Sequence, residues 1–194
     1  MFRKLRIKFI ATATLAITLI LTFFLVLMNS IVYTQTEDNI HTVLSILTKN
    51  EGELPITDEL KESLTEKNIQ EGIVYNFQYF SVREKENDYA VSLTNVQSLT
   101  EDEVKSFLPN VLKKQETYGT ITHKGRYFTY QVSQSTTGKL LVFFETTYYI
   151  RERSTLLQVS IWLALASLLL LILLFTLISG IVIRPFIKNY EKQR

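Results

Sequence analysis

Cysteine is absent from the 194 residues, which excludes a disulfide framework and any thiolate metal site and leaves an apolar core to hold whatever folds. Glycine is scarce, six in all and never clustered, so the chain has no glycine-rich loop to cradle a nucleotide phosphate. Charge is missing from two long stretches. Phe9 to Thr36, 28 residues, and Ser154 to Ile183, 30 residues, hold no Asp, Glu, Lys, Arg or His. The lack of ionisable groups there argues against a transporter, a channel or a proton relay.

A bilayer core about 30 Å thick is crossed by roughly 20 apolar residues at helical rise, so each uncharged stretch is long enough to span it. A cleaved signal peptide has a shorter apolar region and a small-residue cleavage site. The sequence Leu27-Met28-Asn29-Ser30-Ile31-Val32 offers no such site, so the first stretch is expected to be an uncleaved anchor. Arg3, Lys4, Arg6 and Lys8 precede it, and Arg184, Lys188, Lys192 and Arg194 with only Glu191 follow the second. The ends thus carry +7, while the 117 residues between the stretches hold 13 basic and 18 acidic groups, −5, within a formal net charge of +2. Basic flanks stay in the cytoplasm. The expectation is a multi-pass protein of the cell membrane with both termini cytoplasmic. Its parts are a basic N-terminus 1–8, a first span 9–33, an extracytoplasmic domain 34–153, a second span 154–183 and a cytoplasmic connector 184–194. Although the pI is near 8.7, the basic charge flanks the membrane rather than covering one soluble face. It points to lipid headgroups and not to nucleic acid.

The middle has room for one domain. Ile40, Val43, Leu44 and Leu47 recur at helical spacing, which predicts a helix carrying the first span outward as a rigid stalk until Glu51-Gly52 ends it. Thr57 and Asp58 can cap a short helix with Leu60 and Leu64 on one face, closed by Gly72. From Ile73 the period falls to two: Tyr75, Phe77 and Tyr79 share one face, Val74, Phe80 and Val82 the other. Arg83 to Asp88 makes a turn, and Tyr89, Val91 and Leu93 return as a second strand. Thr100 and Glu103 form a capping box, with Glu101 and Asp102 in the first turn. Val104, Phe107, Leu108, Val111 and Leu112 then make one stripe, which Pro109 is expected to kink or split into two helices. Three more strands follow, Tyr118 to Thr122, Arg126 to Ser133 and Lys139 to Thr146, with turns at His123-Lys124-Gly125 and Ser133 to Gly138. The order gives an antiparallel sheet of about five strands with flanking helices, an α+β fold.

Several features admit two readings. Tyr75, Phe77, Tyr79, Phe80, Tyr127, Phe128, Tyr130, Phe143 and Phe144 could line a ligand pocket or fill a core, and core packing is the commoner use of strand aromatics. Glu101-Asp102-Glu103 could hold a divalent cation, but helix capping already accounts for it. His41 could sense pH or be a solvated stalk residue. Thr14, Thr18 and Thr22, and Ser160, Ala164 and Ser167, could let helices approach closely or could bond their own backbone.

A domain of this order hung between two spans resembles the PAS-like sensor domain of bacterial two-component sensor histidine kinases. The likeness is carried by Phe77-Gln78-Tyr79-Phe80-Ser81-Val82 through Asn95-Val96 to Thr100-Glu101-Asp102-Glu103. It is also carried by Ile183-Arg184-Pro185-Phe186-Ile187-Lys188-Asn189-Tyr190-Glu191-Lys192-Gln193, which is similar to the connector such kinases place before their dimerisation helix. The resemblance implies a homodimer that receives an extracytoplasmic stimulus. It also implies relay through the second span and the connector residues Arg184 and Pro185, and a response regulator as downstream partner.

In that family the phosphoacceptor His-Glu motif and the ATP-binding domain follow the connector, and neither lies within these residues. The chain is therefore expected to be the sensor half of a longer kinase, with ATP and magnesium needed only in the kinase core. His41 and His123 do not stand in a phosphoacceptor context, so no catalytic, cofactor-binding or metal-binding residue is carried over. Two other classes share the layout: the sensor half of a chemoreceptor or cyclic-dinucleotide enzyme, and a stand-alone two-pass protein that binds a partner.

Overall fold

The computed structural model describes residues 2–55, 57, 62, 77–85, 88–96, 99–135 and 138–191, with side chains from Ile7 to Ile178. Of the expected Thr57–Gly72 helix only Thr57 and Glu62 are described, and the strand start at Ile73 to Tyr75 lies outside the described residues. The elements in chain order are α1 (Phe2–Lys49), β1 (Tyr79–Glu84), β2 (Tyr89–Ser92), α2 (Glu101–Lys114), β3 (Tyr118–His123), β4 (Arg126–Ser135), β5 (Gly138–Glu145) and α3 (Thr147–Glu191). The chain divides into two units, Thr34–Glu152 and the apolar pair Met1–Tyr33 with Arg153–Arg194.

In the first unit all five strands among the described residues pair antiparallel in the order β2-β1-β5-β4-β3. The two-residue period seen in the sequence sorts side chains to opposite faces. On one face Phe77, Tyr79, Leu140, Val142 and Phe144 meet Ile40, Val43, Leu44 and Leu47 of α1. On the other Phe80, Val82, Phe128, Tyr130, Leu141 and Phe143 meet Val104, Phe107, Leu108 and Val111 of α2. The sheet is thus covered on both sides, and Leu140 to Phe144 in central β5 are all buried although they alternate in direction.

The expected helix continues outward from the first span, and its last turns also form a layer of this domain. A 3.6-residue stripe looks the same whether it stands alone or covers a sheet, and only its partner on the sheet separates the two. The helix ends where expected. Glu51 and Gly52 take φ of 56° and 88°, and the Gly52 amide donates back to the Leu47 carbonyl at 2.8 Å, a left-handed helix stop. Gly52 has a second reason to be glycine, because a Cβ there would stand 2.6 Å from the Ser81 Cβ.

The capping box of α2 is formed: the Glu103 amide donates to Thr100 Oγ1 at 3.3 Å and the Thr100 amide to Glu103 Oε2 at 2.9 Å. Pro109 does not divide the helix, which runs unbroken from Glu101 to Lys114. A proline costs a helix interior about 3 kcal/mol. Four buried side chains spread over both sides of it, at roughly 1.5–3 kcal/mol each, outweigh that cost. Lys105, whose carbonyl loses its partner, is exposed to water together with Pro109.

Both α1 and α3 contain stretches long and apolar enough to cross a membrane. Their apolar side chains are widely exposed, Phe9 at 65%, Leu169 at 69% and Trp162 at 73%, as suits a lipid surroundings and not water. Thr18, Thr22, Ser160 and Ser167 donate to the carbonyls four residues before them at 2.7–2.8 Å. Those four residues thus bond their own backbone. In this unit the Arg153 guanidinium lies 4.5 Å from the centre of the Tyr33 ring.

Candidate functional site

A buried polar arrangement lies where central strand β5 becomes α3. One residue, Thr146, separates them, and it is fully buried beside Thr129, 2% exposed. Buried hydroxyls must find partners, and here they find one another. Thr129 Oγ1 is 2.9 Å from Thr146 Oγ1 and 3.1 Å from Thr120 Oγ1, a row across β3, β4 and the junction.

The backbone closes around that row. The Thr146 amide donates to the Tyr127 carbonyl at 2.8 Å, and the Tyr127 amide donates to Thr147 Oγ1 at 2.9 Å. The Ile150 amide donates to the Thr146 carbonyl at 3.0 Å, the first bond of the new helix. Three side chains reinforce the exit. Arg126 Nη1 lies 3.3 Å from Glu145 Oε2, Arg151 Nη2 donates to the Gly125 carbonyl at 3.2 Å, and Tyr149 packs its ring 5.9 Å from Phe144. Strand, hairpin and helix start are therefore joined by direct bonds.

The aromatic set identified in the sequence lies on two faces of the sheet. Phe77, Tyr79 and Phe144 belong to the α1 side; Phe80, Phe128, Tyr130 and Phe143 belong to the α2 side, with Phe80 stacked on Phe143 at 4.6 Å. They are core and do not line one pocket. Tyr127 is half-buried, and Tyr75 lies outside the described residues. A cleft of about 220 Å³ beside β1 and β2 is lined by Leu54, Tyr79, Phe80, Ser92, Thr94 and Asn95 among others. Tyr79 there accepts from the Leu54 amide at 3.2 Å, and burial pushes its hydroxyl above the usual tyrosine range.

The two histidines stand apart. His41 on α1 is exposed yet stacks on Tyr118 at 5.6 Å. His123 ends β3 with its ring 5.2 Å from Phe107, and its buried Nε2 has no hydrogen-bond partner among the described residues. No group of three His, Asp or Glu side chains able to hold a metal occurs among the described residues. The connector residues Arg184 and Pro185 lie within α3, which runs through both to Glu191 without a break. The helix break that a proline can impose is therefore not made there.

Comparison with models of protein families, with curated proteins and with solved structures finds no match for this chain. The residues by themselves define an α+β domain built on an antiparallel sheet, together with two helices long and apolar enough to cross a membrane. The hydrogen bonds of the junction fix the direction and position of one helix relative to one sheet.

Proposed function

We propose that the chain is the signal-receiving membrane module of a two-component sensor histidine kinase, with a PAS-like domain outside the membrane and both termini in the cytoplasm. The observation that carries the reading is the way the domain holds its two helices. The last turns of α1 form one layer of the sheet domain, and α3 begins one residue after its central strand. A change in the sheet reaches α3 with no intervening linker. The strand order β2-β1-β5-β4-β3, with a helix between β2 and β3, supports the PAS-like assignment, and the charge difference between ends and middle supports the orientation.

In this reading a stimulus favours one of two arrangements of the domain by its differential affinity for them. Helix α3 carries the change to Arg184 and Pro185, and a kinase core beyond them, working as a homodimer with ATP and magnesium, passes phosphate to a response regulator. The test is the coding sequence downstream of Arg194, followed by incubation of membranes holding the full product with labelled ATP. An open frame with a His-Glu motif and label on that histidine is the expected result. A stop codon directly after Arg194 in an intact gene overturns the kinase reading and leaves a two-pass binding protein. A methyl-accepting or cyclic-dinucleotide domain moves the same module to another class.

A further inference from the structure

The hairpin between β3 and β4 touches more than its own strands. Its turn is only two residues, Lys124 and Gly125, at φ of 49° and 76°, the tight turn whose twist matches its strands. Lys124 Nζ pairs with Glu103 Oε1 at the N-terminus of α2, and the ring of His123 lies against Phe107 one turn later. The next residue, Gly125, accepts through its carbonyl from Arg151 Nη2 in the first turns of α3. Two residues on, the Tyr127 carbonyl accepts from the Thr146 amide and the Tyr127 amide donates to Thr147 Oγ1. The hairpin tip is therefore held from one side by α2 and from the other by α3, and no contact between the two helices themselves is needed.

We infer that this hairpin is a strap coupling the N-terminus of α2 to the start of α3, with the Lys124–Glu103 pair at one end and the Arg151–Gly125 bond at the other. The inference rests on the reading of α3 as the signal-carrying helix, and adds the route by which the α2 layer, on the face of the sheet opposite α1, acts on it. The two contacts stand on adjacent residues of a two-residue turn, so a shift of the turn bears on both. Displacing the first turn of α2 strains or releases the Arg151 bond, and the reverse holds as well. Such coupling is reciprocal.

The test is residue-resolved amide hydrogen exchange on the full chain in lipid nanodiscs, in wild type, Lys124→Ala, Glu103→Gln and Arg151→Ala. Glu103→Gln keeps a side chain able to complete the capping box while removing the charge, so its effect is separable from loss of the helix cap. The strap requires Lys124→Ala and Glu103→Gln each to speed exchange at Ile150 and Arg151 by about two- to fivefold, and Arg151→Ala to speed it at Val104 and Lys105 by a similar factor. Changes confined to the substituted contact, with the far end within twofold of wild type, overturn it. This readout does not depend on kinase activity, so it fails or succeeds separately from the kinase assignment.

Discussion

The two long helices are attached to the same sheet by different physics. α1 is held by dry packing: Ile40, Val43, Leu44 and Leu47 are at most 2% exposed against Leu140, Val142 and Phe144. α3 is held by direction: Thr129, Thr146, Thr147 and Arg151 set its start through hydrogen bonds to β3, β4 and the hairpin. Apolar burial scales with area and is indifferent to small rotations, whereas hydrogen bonds fail steeply when misaligned. A helix packed like α1 suits an anchor, and one bonded like α3 suits an element whose orientation carries information.

Substitutions that strike one attachment and spare the other separate the two. Leu44→Ala removes a fully buried side chain from the α1 layer, and the expected loss is about 2–5 kcal/mol in denaturant unfolding followed in lipid or detergent. Thr146→Val keeps the shape and deletes a buried hydroxyl. Its cost is about 1–3 kcal/mol, toward the low end because Thr129 retains Thr120. Hydrogen exchange in Thr147 to Arg151 should rise beyond what that global loss explains, and for Leu44→Ala it should not. Should Thr146→Val cost as much as Leu44→Ala, or leave exchange at the helix start unchanged, the contrast between packing and direction is broken.

Smaller effects are expected from α2, on the face of the sheet opposite α1. Thr100→Ala removes the cap from its first turn, and about 1 kcal/mol should be lost in unfolding experiments. The smallest effect lies in acid. The Lys124 ammonium, and next the Thr100 amide, hold the Glu103 carboxyl down at about 2, below the ordinary 4.5. A depressed carboxylate stabilises the fold fully above pH 4.5, and that contribution fades as pH falls from 4.5 through about 2. Lys124 is exposed, so solvent screens the pair. The difference in unfolding midpoint between wild type and Glu103→Gln should be small above pH 4.5 and vanish near pH 2.

Much of this fold was legible in the sequence because its signals are local. Alternation placed Phe77 and Tyr79 opposite Phe80 and Val82, the Thr100–Glu103 spacing marked a helix start, and Gly52 and Lys124-Gly125 marked a stop and a turn. What was not legible depends on partners far along the chain. The stripe from Ile40 to Leu47 reads equally well as a stalk, because the residues that cover it begin at Phe77. The junction is harder still: Thr120, Thr129 and Thr146 look like ordinary strand threonines, and only the register of β3, β4 and β5 brings their hydroxyls into one row. Pro109 shows a local rule outweighed by packing.

Sidedness is the most direct test of the proposal that the domain receives a signal outside and reports it inside. Because the chain has no cysteine, single substitutions give an unambiguous label. Intact cells carrying Gln134→Cys, at an exposed site in the sheet domain, should react with a membrane-impermeant maleimide. Cells carrying Lys4→Cys or Lys188→Cys should react only after permeabilisation. Labelling of Lys4→Cys or Lys188→Cys in intact cells, with Gln134→Cys protected, would place the domain in the cytoplasm and contradict the sensor reading.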